Sequence, residues 1–268
     1  MARRARLDAE LVRRGLARSR EQAATLIAHG AVRVNGTVAT KPATGVDPAA
    51  AVTLLDTAAG PGYVSRGGHK LAGALEAFGP RGLAVTGRRC LDAGASTGGF
   101  TDVLLRAGAA TVVAVDVGYG QLAWSLRTDP RVTVVDRTNV RGLQPAAIGG
   151  PVSLTVADLS FIPLKVVLPA LAACTEPDGD LVPMVKPQFE VGRERLGSGG
   201  VVRDPVLRAD AVAGVVAAAA TMGLGAHGVA VSPLPGPSGN VEFFLWLRRG
   251  AGTVDPDEIR QVVEEVVS

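Results

Sequence analysis

The sequence predicts an α/β body, a mainly parallel sheet of seven strands with helices on both faces, preceded by a small, basic α+β module. Three observations carry this. From residue 89 onward, short apolar runs alternate with longer segments able to form helices, the pattern of strands joined by crossover connections. Each of the first five runs gives way to polar residues, at the edge where a parallel sheet gathers its ligands. Charge is also unevenly divided: residues 1–60 hold nine Lys and Arg against five Asp and Glu, whereas residues 61–268 hold nineteen against twenty. A basic module beside a near-neutral body suggests that one part holds an anionic partner while the other does chemistry.

In the first sixty residues, Leu7, Leu11 and the Gly15-Leu16 pair predict a short helix and its stop. Ser19-Arg20-Glu21-Gln22 has the Ser-x-x-Gln form of a capping box, so a second helix starts there and buries Ala23, Leu26 and Ile27. Gly30 is placed to end it. Val32-Arg33-Val34 then alternates as a strand, Asn35-Gly36 supplies a hairpin turn, and residues 52–55 form a last strand. Arginines 3, 4, 6, 13, 14, 18 and 20 accompany this ordered module, which favours nucleic-acid binding over a merely solvated charged face. Ala58 to Gly62 reads as the connector.

In the body, strands are expected at 89–92, 111–116, 131–136, 152–158, 180–186, 226–232 and 241–248, and helices at 99–108, 119–127, 164–174 and 205–222. Only the turn from Pro233 to Asn240 separates the last two strands, which predicts an antiparallel pair at the sheet edge. The first strand leads into Asp92-Ala93-Gly94-Ala95-Ser96-Thr97-Gly98-Gly99-Phe100. Glycines at such a strand-to-helix turn allow positive φ and let the backbone approach a ligand, towards which the helix's first amides point. Asp116, 22 residues beyond Gly94, closes the next strand and is placed to grip ribose hydroxyls. The turn lacks the Gly-Lys-Ser/Thr ending of a phosphate loop and does not fit Gly-x-Gly-x-x-Gly. A phosphate-free nucleoside is the better ligand, and S-adenosylmethionine fits that description. Asp136 and Asn139 stand where they can accept and donate hydrogen bonds around the adenine ring, and Phe100 reads as core.

Composition excludes several classes. The chain has only two cysteines, Cys90 and Cys174, and three histidines, without Cys-x-x-Cys or a histidine cluster, which opposes a disulfide framework and a zinc site. Both cysteines are expected in the core. The Arg-rich start has no apolar signal region, and the most apolar stretch, Ala211 to Ala226, is short and broken by glycines. A cytoplasmic protein is expected.

Lysine is scarce: Lys41, Lys70, Lys165 and Lys186 are the only four. In an arginine-rich chain a retained lysine points to chemistry that arginine, which cannot lose its proton, does not supply. Methyl transfer to an RNA hydroxyl needs a base to take the proton of a weakly acidic alcohol, and lysine serves once burial or a neighbouring cation disfavours its charged form. Lys186 follows an apolar strand, and Lys70 opens a helix in Ser65-Arg66-Gly67-Gly68-His69-Lys70. Asp158 and Glu242 fall near strand ends. The four are either two surface salt bridges or parts of a site, and their placement favours a site.

Two resemblances follow from these residues. Arg6-Leu7-Asp8, Gly15, Ser19-Arg20, Ala23, Ile27, Gly30, Val32, Val34-Asn35-Gly36 and Lys41-Pro42 resemble the S-four RNA-binding domain. The whole chain resembles the TlyA (haemolysin A) family of ribosomal RNA 2'-O-methyltransferases, an S-four domain followed by an FtsJ-like domain. The motifs that carry it are Ser65 to Lys70, Asp92 to Phe100, Asp116 to Leu122, Arg137-Thr138-Asn139, Asp158 to Ile162, Val185 to Glu190 and Gly239-Asn240-Val241-Glu242. The resemblance implies a Rossmann-like class I methyltransferase fold, with domains at 1–60 and 65–268 and a linker at 61–64. Its Lys-Asp-Lys-Glu catalytic set falls on Lys70, Asp158, Lys186 and Glu242. S-adenosylmethionine is then expected against Asp92, Gly94, Ser96, Thr97, Gly98, Gly99, Asp116, Val117, Gly118, Asp136 and Asn139, and RNA against Arg4, Arg6, Arg18, Arg20 and Lys41. The implied substrates are cytidine ribose 2'-hydroxyls in 16S RNA and, in the actinobacterial branch, 23S RNA, within ribosomal subunits or ribosomes. In that branch, loss of the methyl groups is associated with resistance to capreomycin. Where relatives in it tend to carry Arg-Ala-Trp-Val at the join, this chain has Pro61-Gly62-Tyr63-Val64. A membrane-active haemolysin and a non-catalytic ribosome assembly factor are the alternatives. The missing membrane span opposes the first, and the intact glycine turn and two lysines oppose the second.

Overall fold

The computed structural model describes residues 5–17, 19–28, 32–47, 49–54, 62–236 and 239–265, and the chain divides into two compact units, Met1–Pro61 and Gly62–Ser268. The predicted Gly30 stop, most of the connector, Arg4 and Arg18 lie outside the described residues.

In the first unit, β1 (Ala5–Arg6) leads into α1 (Leu7–Arg13), and α2 (Arg20–Ala28) follows. The strands are β2 (Val32–Val34), β3 (Thr37–Val38), β4 (Gly45–Val46) and β5 (Val52–Leu54). Gly15, at φ +71°, stops the first helix, and Ser19 Oγ accepts the Gln22 amide at 3.1 Å as the capping pattern predicts. Asn35 and Gly36, both at positive φ, turn β2 into β3, and β5 pairs with the other side of β2. Leu7, Leu11, Ala23, Ile27, Val32, Val46 and Val52 form the core.

The second unit comprises α3 (Gly67–Phe78), β6 (Arg89–Ala93), α4 (Gly99–Arg106), β7 (Thr111–Val115), α5 (Trp124–Arg127), β8 (Val132–Val135), β9 (Val152–Ala157), α6 (Leu164–Ala173), β10 (Thr175–Val185), α7 (Pro187–Glu190), α8 (Pro205–Ala220), β11 (Leu224–Val231), β12 (Phe243–Arg249) and α9 (Pro256–Glu264). Its seven strands lie in the order β11-β12-β10-β9-β6-β7-β8. β12 is antiparallel to both neighbours, and the pairings from β10 through to β8 are parallel. The last two strands thus form the predicted antiparallel pair, with β12 set between β10 and the edge strand β11.

Side-chain alternation along the strands divides the core in two. Leu91, Val113, Val115, Leu181, Phe243, Leu245 and Leu247 pack with α6, α8 and α9 on one face. Cys90, Val112, Ala114, Val182, Phe244 and Trp246 pack with α3, α4 and α5 on the other. Both cysteines are free and buried, and burial pushes the Cys90 thiol up to about 12.

The structure corrects two sequence expectations and adds one helix that the sequence reading did not name. The helix expected over 119–127 is reduced to Trp124–Arg127: Gly120 takes φ +68°, outside the right-handed helical region, and its amide donates to Asp136 Oδ2. β10 begins at Thr175, five residues early, across a register shift between Thr175 and Asp180. A further helix, α9, is capped by Asp255, whose side chain accepts the Glu258 amide, with Pro256 in its first turn. Residues 62–64 of the expected connector are fastened to α4: the Val64 amide donates to Asp102 Oδ2 at 2.9 Å, and Arg106 donates to the Gly62 carbonyl at 2.9 Å.

Candidate active site

Chain direction decides what reaches the site. The parallel strands β6, β7, β8, β9 and β10 deliver Gly94, Asp116, Asp136, Asp158 and Lys186 to one edge of the sheet. β12 runs the other way, with Phe243 opposite Val185, so the residue before it, Glu242, joins the same edge. Between β6 and β9 the strand order reverses, which opens the crevice where such sheets bind ligands.

The turn after β6 lies in that crevice. Gly94 holds φ +89°, and a Cβ on it would stand 2.5 Å from the Asp158 carbonyl oxygen. The Gly94 and Ala95 amides both donate to the Val115 carbonyl, which ties the turn to β7. The two oxygens of Asp116 divide their work: Oδ2 accepts the Ser96 amide at 2.8 Å and Oδ1 the Gly118 amide at 2.7 Å. Gly98, at φ +99°, packs against Leu122 and Leu126, and the Thr97 carbonyl accepts the Ala123 amide. Val117 is exposed. A pocket of about 270 Å³ is lined by Ser65, Arg66, Gly67, Lys70, Gly94, Ala95, Ser96, Thr97, Gly99, Phe100, Asp158 and Pro235. Phe100 is both core, as expected, and pocket wall.

Asp92 lies wholly buried beside this turn. Thr101 donates to its Oδ2 at 2.7 Å, while Oδ1 meets no donor among the described residues. Burial, with Asp158 and Asp116 adding negative charge, pushes its carboxyl up to about 7. Asp136 Oδ2 accepts from the Gly120 amide and Arg127, and Asn139 Oδ1 accepts the Arg141 amide, so both expected adenine contacts also serve protein donors.

The four residues expected to act together meet as two ion pairs. Lys70 Nζ lies 2.5 Å from Glu242 Oε2, and Lys186 Nζ lies 2.5 Å from Asp158 Oδ1. The side chains of both lysines and Glu242 are at most 9% exposed and that of Asp158 is 23% exposed, so these are not surface salt bridges. Two neutral partners complete the set: Lys186 Nζ donates to Ser160 Oγ at 2.9 Å, and Gln188 Nε2 reaches Glu242 Oε1 at 3.4 Å. Gly236 leaves room for this carboxylate, since a Cβ there would stand 2.5 Å from Glu242 Oε1.

Sequence reasoning placed Ser160, Phe161 and Gln188 in the strand-end motifs without giving any of them an individual role, and it did not single out Pro235. Phe161 is 91% exposed at φ +64°, its ring 5.4 Å from that of Phe189. An aromatic directly after the Asp158-Leu159-Ser160 strand end was the available signal.

In the first unit, buried Asp8 receives both Arg6 and Arg20 at 3.0 Å, and Glu10 holds Arg13 and Arg14. These arginines hold the Asp8 carboxyl well below the usual carboxylate range and bring Glu10 down to about 2. Lys41 is exposed.

The FtsJ-like methyltransferase family model matches residues 63–249, and the S4 domain model matches residues 5–52. The 16S/23S rRNA (cytidine-2'-O)-methyltransferase TlyA of Mycobacterium tuberculosis is 66% identical over 248 residues, covering 92% of this chain and 91% of that protein. The chain belongs to the TlyA family of FtsJ-like methyltransferases. Another relative, the putative rRNA methyltransferase YqxC of Bacillus subtilis, is 43% identical over 97% of this chain and 93% of its own length. The solved structure of a putative hemolysin from Streptococcus thermophilus superimposes with a TM-score of 0.78 at 38% identity, covering 100% of this chain and 97% of that one. Among the described residues of this TlyA-family chain, no helix is long and apolar enough to cross a membrane.

Proposed function

We propose that this chain is a cytoplasmic, S-adenosylmethionine-dependent methyltransferase of cytidine ribose 2'-hydroxyls in ribosomal RNA, with 16S and 23S RNA as substrates. The observation that carries the reading is the meeting of two lysine–carboxylate pairs at the rim of a glycine-walled pocket. Two features fit the cofactor. Gly94, Ser96, Thr97 and Gly99 line the pocket with small residues that leave backbone within a ligand's reach, and buried Asp92 Oδ1 beside them has no donor among the described residues. Asp116 with Val117 and Gly118 would hold the ribose, Asp136 and Asn139 the adenine, and Asp92 and residues 94–99 the remainder. When bound, the cofactor supplies an electrophilic methyl group on a sulfonium.

The chain's own residues do the rest. Lys186 takes the 2'-hydroxyl proton as the methyl group is transferred, and Asp158 orients the amine and balances the charge it acquires. Lys70, held in place by Glu242, keeps an ammonium close to the developing alkoxide. The first unit holds RNA phosphates through Arg4, Arg6, Arg18, Arg20 and Lys41; for Arg6 and Arg20, the shared Asp8 fixes the guanidiniums before RNA arrives.

Labelled methyl groups from S-adenosylmethionine should pass to ribosomal RNA in subunits lacking the modification. Lysis of lipid vesicles without cofactor, or RNA binding without transfer, would overturn the reading. Phe161, exposed beside the Lys186–Asp158 pair, is placed to stack on the target base once it leaves its helix. Stacking is worth about 1–3 kcal/mol per base, so Phe161→Ala should weaken productive RNA binding roughly ten- to hundredfold in the same assay, with cofactor affinity unchanged.

A further inference from the structure

We infer that Ser160 is a positioning residue for the base, fixing where the Lys186 amine points and how readily it gives up its proton. The inference rests on the reading of Lys186 as the base. Lys186 is nearly buried, and its Nζ makes two polar contacts, with Asp158 Oδ1 at 2.5 Å and Ser160 Oγ at 2.9 Å. Only the Ser160 contact has hydrogen-bond alignment; the Asp158 contact is an ion pair without it, so Ser160 sets the direction in which the amine's remaining positions point. With Asp158 alone, the amine can swing about a single contact and lose alignment with the ribose hydroxyl.

The two partners differ in a way that matters. Asp158 is an anion and favours the ammonium by Coulomb attraction; Ser160 is neutral and favours it only through the hydrogen bond it accepts. At the same edge stand Lys70 and Glu242, paired with each other, and buried Asp92, whose charge couples to that of Asp158, while Gln188 meets Glu242 as a neutral amide. Ser160 itself is exposed, so it stands at the face the RNA must approach, and removing its hydroxyl opens no cavity in the core.

Ser160→Ala should therefore do two things at once. Maximal kcat should fall about tenfold through lost alignment, and the rising limb of the kcat–pH profile should move to lower pH, because a hydrogen-bond acceptor for the protonated amine has gone. KM for RNA and the affinity for S-adenosylmethionine, measured by calorimetry, should stay as they are. Ser160→Thr, which keeps the hydroxyl, should restore the limb. A limb that stays in place in Ser160→Ala overturns the inference whatever happens to the plateau, since a merely structural defect lowers the plateau alone. Lys186→Ala, run in parallel, separates the two failures. If it removes the limb while Ser160→Ala leaves it unmoved, the base assignment stands and the role of Ser160 falls. If Lys186→Ala keeps the unaltered profile, both fall.

Discussion

Lys186→Ala should lower methyl-transfer turnover by about a hundredfold or more while the affinity for S-adenosylmethionine stays close to that of the unaltered chain. The two effects separate because Lys186 stands at the end of β10 and is not among the residues lining the pocket, whereas Lys70 and Asp158 are. Lys186→Arg should fail equally, because a guanidinium keeps its proton and cannot act as a base. The arginine would keep an ion pair with Asp158, so this variant tests proton removal rather than charge. Single-turnover rates with cofactor and RNA both saturating give the comparison, and calorimetric titration with the cofactor checks that the pocket is intact. Turnover in either variant within a few-fold of the original would remove Lys186 from the chemistry.

Gly94→Val should abolish measurable cofactor binding. Two independent penalties act at this position: φ is +89°, which a β-branched residue rarely adopts, and the new Cβ would stand 2.5 Å from the Asp158 carbonyl and about 3 Å from the Leu159 side chain. The backbone oxygen cannot step aside without moving the end of β9, and that strand end carries Asp158, the partner of Lys186. The variant is thus expected to lose transfer as well as binding. Thermal unfolding of the variant, followed beside the calorimetry, separates a lost pocket from a lost fold. A folded Gly94→Val protein with unaltered affinity would place the pocket elsewhere.

Much of this architecture was legible before any coordinates. Apolar runs that end in Asp92, Asp116, Asp136, Asp158 and Lys186 show both where strands stop and which residues face the ligand edge, because a parallel sheet presents all its carboxyl ends together. The short spacing between the last two runs showed the antiparallel pair, and its reversed direction is what carries Glu242 to the same edge as the others. Failures came where one segment depends on a distant one. The helix expected over 119–127 fails at its start, where Gly120 takes a left-handed φ and its amide meets Asp136 after the next strand, a contact invisible within the segment itself. The division of the four charged residues into Lys70–Glu242 and Lys186–Asp158 had no sequence signature either, since the partners lie 172 and 28 positions apart. Ser160 was legible only as one member of the polar strand-end motif Asp158 to Ile162; its partner, Lys186 at 2.9 Å, lies 26 positions away and had no sequence signature.

The claim on which everything else depends is ribose methylation of cytidine. Ribosomal RNA from cells lacking the modification, incubated with this protein and isotope-labelled S-adenosylmethionine, should be digested to nucleosides and resolved by mass spectrometry. The labelled product should be 2'-O-methylcytidine, absent when Lys186→Ala replaces the unaltered chain. Label on a nucleobase, on another ribose, or on no nucleoside at all would contradict the account.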